Sequence, residues 1–387
     1  MSLRDFHRQS LSVGQKLGRM SWGLVVVLTL LGSIGGAMLY SAANGHMMPW
    51  VVPQMARFVA GLGILCVVAL IDLRFWHRWA YLLHGVAVVL LVVVEFAGSI
   101  GMGAQRWLDL WVVQVQPSEL VKITLVLALA RYFHGVSLGV GNDDAPRFLP
   151  LVPAALLILV PTGLVMKQPD LGTGAMLAIT GTVVFFAAGV QLRYFVAAGG
   201  LVLAALPVAW RIMHDYQQQR ILTYLDPDRD PLGAGYHILQ SKIALGSGGL
   251  FGKGFLAGTQ SHLSFLPERQ TDFIFTMLAE EFGLIGAFAL LALYAMIVVY
   301  GYAVALHSAS QFGRLLAVGL ISVFFLYVAI NVAMVTGLVP VVGVPLPLVS
   351  YGGTSMLTIL FGFGLLASAN IHRDVTVPRR PGADTAF

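Results

Sequence analysis

Charge is scarce in this chain: Asp, Glu, Lys and Arg make up 11% of its 387 residues, while 58% are hydrophobic. A soluble protein of this size needs more polar surface to stay in solution, so a water-facing exterior over most of the molecule is excluded. Cysteine is almost missing. Cys66 stands alone, which rules out an internal disulfide and a thiolate metal cluster. Its neighbours Gly61, Leu65 and Val68 mark it as a packing residue in an apolar run. A basic stripe is also lacking: the formal charge is +5, but the cations are scattered at helix ends, which argues against nucleic acid. The chain has neither an internal repeat nor a low-complexity tract.

What remains is apolar runs of roughly 17–25 residues, the length that matches a bilayer core. Hydropathy predicts helices over residues 22–40, 51–71, 79–98, 118–133, 149–166, 171–190, 194–210, 273–305, 314–337 and 349–370. The fold class is therefore an all-α integral membrane protein of about ten transmembrane helices. A tail over 1–21 precedes the membrane domain of 22–370, and a second tail covers 371–387. The first run follows Arg4, Arg8, Lys16 and Arg19 as in a signal peptide, but it is too long for one and is read as a retained span. The run from 273 exceeds what a bilayer needs, so a tilted or projecting helix is expected.

Short loops carrying Lys and Arg resist translocation and so mark the cytoplasmic side. The basic N-terminal tail, Arg74 and Arg78, Arg131 and Arg147, Arg193, Arg314, and Arg373, Arg379 and Arg380 all fall on loops of one parity. Both termini are thus expected in the cytoplasm. The opposite short loops hold only Arg106 and Lys167, and the large segment of 211–271 is expected outside with them. In that segment Tyr236, Leu239 and Ile243 share a helical face, which suits a helix lying at the membrane surface or one packed on the bundle. Gly246, Gly248, Gly249, Gly252, Lys253 and Gly254 imitate a phosphate-binding loop. The imitation fails, because Ser247 replaces its first glycine, Gly254 its hydroxyl residue, and the segment faces away from cytoplasmic ATP.

Ionisable groups at membrane depth are costly, so each is either functional or a structural pair. In Gln116-Pro117-Ser118-Glu119-Leu120-Val121-Lys122 the proline starts a helix, and Glu119 and Lys122 share one face. Such a buried pair holds helices together more often than it does chemistry, yet it can also set local charge. Asp170, in Lys167-Gln168-Pro169-Asp170-Leu171-Gly172, is either an N-cap or part of an outer-face site. Arg106 and Trp107 offer a guanidinium and a flat ring to a sugar or headgroup, although tryptophan at such depth is also a common interfacial anchor. The strongest segment is Leu266-Pro267-Glu268-Arg269-Gln270-Thr271-Asp272-Phe273, where charge gives way abruptly to a membrane helix. Asp272 at its mouth is a second N-cap or a reacting carboxylate. Of its neighbours Glu280 and Glu281, only Glu280 lies on a side of the wheel that approaches the same cavity. Gly337–Gly353 is apolar but too rich in proline and glycine for a helix, and is expected to wall the site.

These segments together resemble the SEDS family (shape, elongation, division and sporulation) of bacterial cell-wall membrane proteins from about Trp22 to Asn370. Lys167–Gly172, Pro267–Phe273 and Val341–Pro347 are nearer its elongation branch than its division branch. Gln270 stands where the family usually has histidine, which weakens any proton-transfer role for that position. The resemblance implies a glycosyltransferase that polymerises lipid II into peptidoglycan strands outside the cytoplasmic (inner) membrane, partnered by a class B penicillin-binding protein. It implies Asp272 as the essential carboxylate, and puts Arg106, Trp107, Glu119, Lys122 and Asp170 on motif positions of its cavity. A lipid diphosphate leaves without an acid, so one carboxylate suffices, unlike in glycosidases. Asp272 is then the general base on the acceptor hydroxyl. Arg106, Lys122 and Arg269, or a divalent cation such as Mg or Mn, steady the diphosphate; no organic cofactor is expected. Rival readings are a lipid-linked precursor flippase, disfavoured because most charges outside the topological set lie on one side, and a scaffold that recruits synthases.

Overall fold

In hydrocarbon every backbone polar group must be satisfied within the protein, so helices carry this chain across. The computed structural model describes residues 11–101, 104–109, 114–136, 149–213, 215–226, 234–259 and 268–377. Arg4, Arg8, Arg147, Pro267, Arg379 and Arg380 lie outside the described residues. Within them, α1 (Val13–Arg19) precedes α2 (Trp22–Ala42), α3 (Val51–Leu70), α4 (Leu73–Ala97), α5 (Pro117–Gly135), α6 (Leu151–Lys167), α7 (Leu171–Ala187) and α8 (Leu192–Ile212). Then follow α9 (Asp215–Leu225), α10 (Ala234–Ser247), α11 (Ile274–His307), α12 (Gln311–Val335) and α13 (Gly353–Ile371). Each of the ten hydropathy-predicted helices has its counterpart. Six of them, α2, α3, α4, α11, α12 and α13, are long and apolar enough to cross a membrane; α6, α7 and part of α8 are shorter apolar helices. The chain is a multi-pass membrane protein.

The boundaries that shifted did so for local reasons. Helix α4 starts at Leu73, six residues before the predicted 79, because the Asp72 carboxylate caps it by accepting from the Arg74 amide at 2.8 Å. Helix α13 starts late, at Gly353, because Pro345 and Pro347 offer no amide and Leu348 adopts φ +64°. A small antiparallel sheet, β1 (Ser99–Gly101), β2 (Ala104–Asp109) and β3 (Gln114–Val115), was not expected. It follows α4 and holds Arg106 and Trp107 on its central strand. Helices α1 and α9 were also unforeseen as separate elements, being short and, in α9, polar, whereas α10 is the helix expected around Tyr236, Leu239 and Ile243.

Hydrogen bonds between element ends define two faces. On one, the Lys16 ammonium donates to the Leu70 carbonyl at 2.7 Å, Arg19 pairs with Asp374 at 3.0 Å, and the Ala309 amide donates to the Arg373 carbonyl at 2.9 Å. Both ends of the described chain therefore meet at the same face. On the other, Gln168 donates to the Leu91 carbonyl and Tyr224 to that of Leu338. Helices α3 and α13 pack on small residues, with Gly61 under Leu360 and Gly364 against Val68.

The long run from 273 is not one tilted helix. Gly283 breaks α11 with φ +67° and ψ −164°, leaving a fragment Ile274–Phe282 and a membrane-length helix from Leu284 to His307. The glycine-rich segment read as a failed phosphate loop fills the break. Lys253 and Gly254 amides donate to the carbonyls of Glu280 and Glu281, and the amides of Leu284 and Ile285 donate to those of Gly249 and Leu250. This glycine-rich stretch is thus bonded into the helix break, so the irregular backbone on both sides finds its partners within the protein. Helix α10 packs on α11 through Ile238, Ser241 and Ala244, with Ser241 Oγ 2.8 Å from Thr276 Oγ1 and donating to the Val335 carbonyl at 2.8 Å. Its Leu239 and Ile243 point outward. A β-carbon at Gly252, where φ is +81°, would lie 2.1 Å from the Glu281 carbonyl oxygen. Gly252→Ala is expected to cost at least about 1–3 kcal/mol in backbone strain alone. A thermal unfolding midpoint in detergent equal to that of the unsubstituted protein would contradict this account of the break.

Candidate functional site

Asp272 stands at the N-terminal end of the α11 fragment and is half-buried. It is not the helix cap: that position is held by Phe273, with no side-chain cap bond. The backbone around it is held from three sides. Asn331 on α12 donates to the carbonyls of Asp272 at 2.9 Å and Val344 at 2.8 Å. The Ser350 hydroxyl donates to the Thr271 carbonyl at 2.6 Å, and the Tyr351 amide to that of Gln270 at 2.8 Å. Gln54 on α3 holds the strap in turn, donating to the Ser350 carbonyl at 2.8 Å and accepting from the Gly352 amide. These bonds fasten the residues before α11 to the irregular strap 336–352, where Gly343 and Leu348 take left-handed φ. A β-carbon at Gly343 would meet Asp272 Oδ2 at 3.4 Å, so the carboxylate lies directly against the strap.

The strap's other residues wall a cavity of about 360 Å³. Val339, Pro340 and Val342 form one side, and Arg106, Pro169 and Asp170 the polar end. Ile179, Ile221 and Ile330 supply an apolar end. Asp272 is not on the lining; it lies one residue beyond it, at Gly343. Of the expected site residues, Arg106 and Asp170 line this cavity and Asp272 lies beside it, with the strap running past both.

At the polar end, the Arg106 guanidinium donates to the carbonyls of Gln168 at 3.1 Å and Pro169 at 2.6 Å and stands 3.6 Å from Asp170 Oδ2. Asp170 is buried and is the N-cap of α7, accepting from the Thr173 amide at 3.1 Å and hydroxyl at 3.0 Å. It is thus the N-cap, and it also lines the cavity. Lys167 pairs with Glu95 at the same end. Trp107 is half-buried beside Arg106 on β2. Arg269 is half-buried three residues before Asp272, and burial lowers its pKa from the ordinary arginine value while leaving it a cation at neutral pH.

Two expectations are corrected. Lys122 and Glu119 do not open onto the cavity: both are nearly fully buried, with Lys122 Nζ donating to Glu119 Oε1 at 2.7 Å and the Tyr327 hydroxyl bonded to both partners. Their influence on the site is electrostatic and structural. Glu280, on the side of the wheel expected to approach the cavity, is fully buried and faces the glycine-rich loop, where it pairs with Lys253 at 2.7 Å. Glu281 accepts from Ser41 on α2.

Sequence reasoning passed over Arg57, Tyr327, Asn331 and Gln54. Arg57 is a lone cation inside the apolar run of α3, a signal that was available. It sits 5.3 Å over the Tyr351 ring, beside the backbone that holds Gln270. The polar side chains of Gln54 and Asn331 carry no such signal, since their value lies in which carbonyls they reach.

The fold and site together define a polytopic membrane protein with a half-buried carboxylate beside a cavity that has an Arg106–Asp170 ion pair at its polar end. The chain belongs to the FtsW/RodA/SpoVE cell cycle protein family, whose model matches residues 15–375. It is 47% identical over 352 residues to the peptidoglycan glycosyltransferase MrdB of Escherichia coli K12, covering 90% of this chain and 93% of that one. It is also similar to a chain of a solved peptidoglycan synthase complex that coordinates polymerization and crosslinking, with TM-score 0.78, 33% identity, and 92% and 98% of the two chains covered. The rod shape determining protein RodA of Thermus thermophilus matches with TM-score 0.69 and 30% identity over 92% of this chain and 97% of that one.

Removing the ammonium in Lys122→Met leaves Glu119 buried without its cation, an expected loss of about 3–5 kcal/mol in stability. The double variant Glu119→Gln/Lys122→Met is expected to recover most of it. Thermal melts of the purified proteins check both, and a single variant as stable as the parent would show that the pair is not the buried unit described.

Proposed function

We propose that the chain is a peptidoglycan glycosyltransferase of the elongation type, polymerising lipid II at the outer face of the cytoplasmic membrane with Asp272 as general base. The observation that carries this reading is the half-buried Asp272 carboxylate against Gly343, on a strap whose neighbouring residues wall a cavity with the Arg106 guanidinium at its polar end and apolar residues elsewhere. Such a cavity suits an amphiphile with an anionic head. The kinship with proteins named peptidoglycan glycosyltransferase supports the same chemistry.

In this mechanism Asp272 accepts the proton of an acceptor sugar hydroxyl. The hydroxyl oxygen forms a bond to the anomeric carbon of the donor, and the bond from that carbon to the diphosphate breaks. The electron pair leaves with undecaprenyl diphosphate, so no acid is needed. Arg106 and Arg269 meet the departing charge directly, and the buried Lys122 adds to the field. Trp107 and Asp170 shape the cavity's polar end. Among the described residues no group of three or more His, Cys, Asp or Glu side chains is placed to hold a metal ion. A divalent cation held mainly by substrate phosphates and water needs no such group. When bound, it would neutralise diphosphate charge. The working partner in this reading is a class B penicillin-binding protein, which crosslinks the strands as they form; the similar synthase complex supports that pairing.

Asp272→Asn is expected to abolish glycan polymerisation from lipid II while insertion and partner binding persist. Undiminished polymer from the purified mutant complex would refute the assignment. With the parent complex, chelation by EDTA is expected to suppress polymer formation and added Mg or Mn to restore it; full activity in EDTA would remove the cation from the mechanism.

A further inference from the structure

Asp272 heads a helix fragment only nine residues long, Ile274–Phe282, severed from the rest of α11 at Gly283. Isolated helices shorter than about 12–15 residues do not hold their own shape or place, so the grip on this fragment's two ends sets where the carboxylate sits. The N-terminal end is gripped by Asn331, Ser350 and Tyr351. The C-terminal end is gripped by the glycine-rich loop. The amides of Lys253 and Gly254 donate to the carbonyls of Glu280 at 3.0 Å and Glu281 at 2.9 Å, and so complete the backbone bonding that the break disrupts.

The side chains add something the backbone does not need. Lys253 Nζ donates to Glu280 Oε1 at 2.7 Å and to Thr259 Oγ1 at 2.8 Å, and Thr259 donates to the same carboxylate at 3.2 Å. Glu280 is fully buried, whereas the Lys253 side chain is 26% exposed. A buried ion pair is a weak source of stability because both charges lose water, and its best-attested use is to fix register. Here it ties one residue of the fragment to one residue of the loop, which a shift of the fragment along its axis or around it would break.

We propose that Lys253 and Glu280 are positioning residues for the polymerase reaction: their ion pair locks the α11 fragment in register and so places Asp272, about 12 Å further along the same axis. The proposal rests on Asp272 being the reacting carboxylate. A base misplaced by about 1 Å loses much of its rate while substrate binding in the separate cavity persists.

The test compares Lys253→Met, Lys253→Arg, Lys253→Met/Glu280→Gln and Asp272→Asn in the full-length chain with its partner, each assayed over a lipid II concentration series. Expected for Lys253→Met and the double variant is a kcat lower by about tenfold or more with KM within about twofold, and for Lys253→Arg a kcat near that of the parent. The double variant leaves no unpaired buried charge, so it remains a folded subject if the single one unfolds, as thermal melts would show. A folded double variant with parental kcat overturns the positioning role, as does a fall in kcat matched by a rise in KM. Either result leaves the base assignment standing while Asp272→Asn is inactive; an active Asp272→Asn overturns that assignment itself.

Discussion

The structure depends on one constraint: backbone that leaves the helix inside a bilayer must find its hydrogen bonds in the protein. Among the described residues the chain leaves the helix at the Gly283 break and along the strap before α13, and both places are sealed by specific donors and acceptors. The glycine-rich loop serves the first. Gln54, Asn331, Tyr294 and Ser350 serve the second, with the Tyr294 hydroxyl donating to the Pro347 carbonyl at 2.7 Å and the Leu346 amide donating to Ser350 Oγ at 2.7 Å. Asp272 lies between these two repairs, which hold a carboxylate at a fixed place in a region otherwise built of sliding cylinders.

The charges follow a similar economy. Arg106 is engaged by two carbonyls of the 168–169 turn and by Asp170, and Lys122 by Glu119 and Tyr327. Cations held this way keep a fixed orientation, the preorganisation on which the proposed steadying of a leaving diphosphate relies. The cost is desolvation, which for the buried pair is offset only by close hydrogen bonding.

Much of this was legible in the residues. The ten apolar runs, the lone cysteine's irrelevance to disulfides, and the irregular strap all followed from composition, length and proline–glycine content. Less was legible where a residue's value lies in what it touches. The sheet carrying Arg106 has strands of three, six and two residues, too short for a periodic signal. The helical wheel put Glu280 near the cavity because it assumed the helix's surroundings; the loop that claims Glu280 comes from some 30 residues earlier in the chain.

By itself, the sequence determined the solvent, the number of apolar runs and the chemical types present at one end of them, because hydropathy and residue chemistry are local properties. Only the tertiary structure decided that Lys122 is enclosed, that Gly283 divides α11, and that Asp272 faces a strap instead of capping its helix. Those outcomes depend on contacts between residues far apart in sequence, as between Asn331 and Asp272 or Lys253 and Glu280, and no local pattern encodes which distant partner will satisfy a buried group.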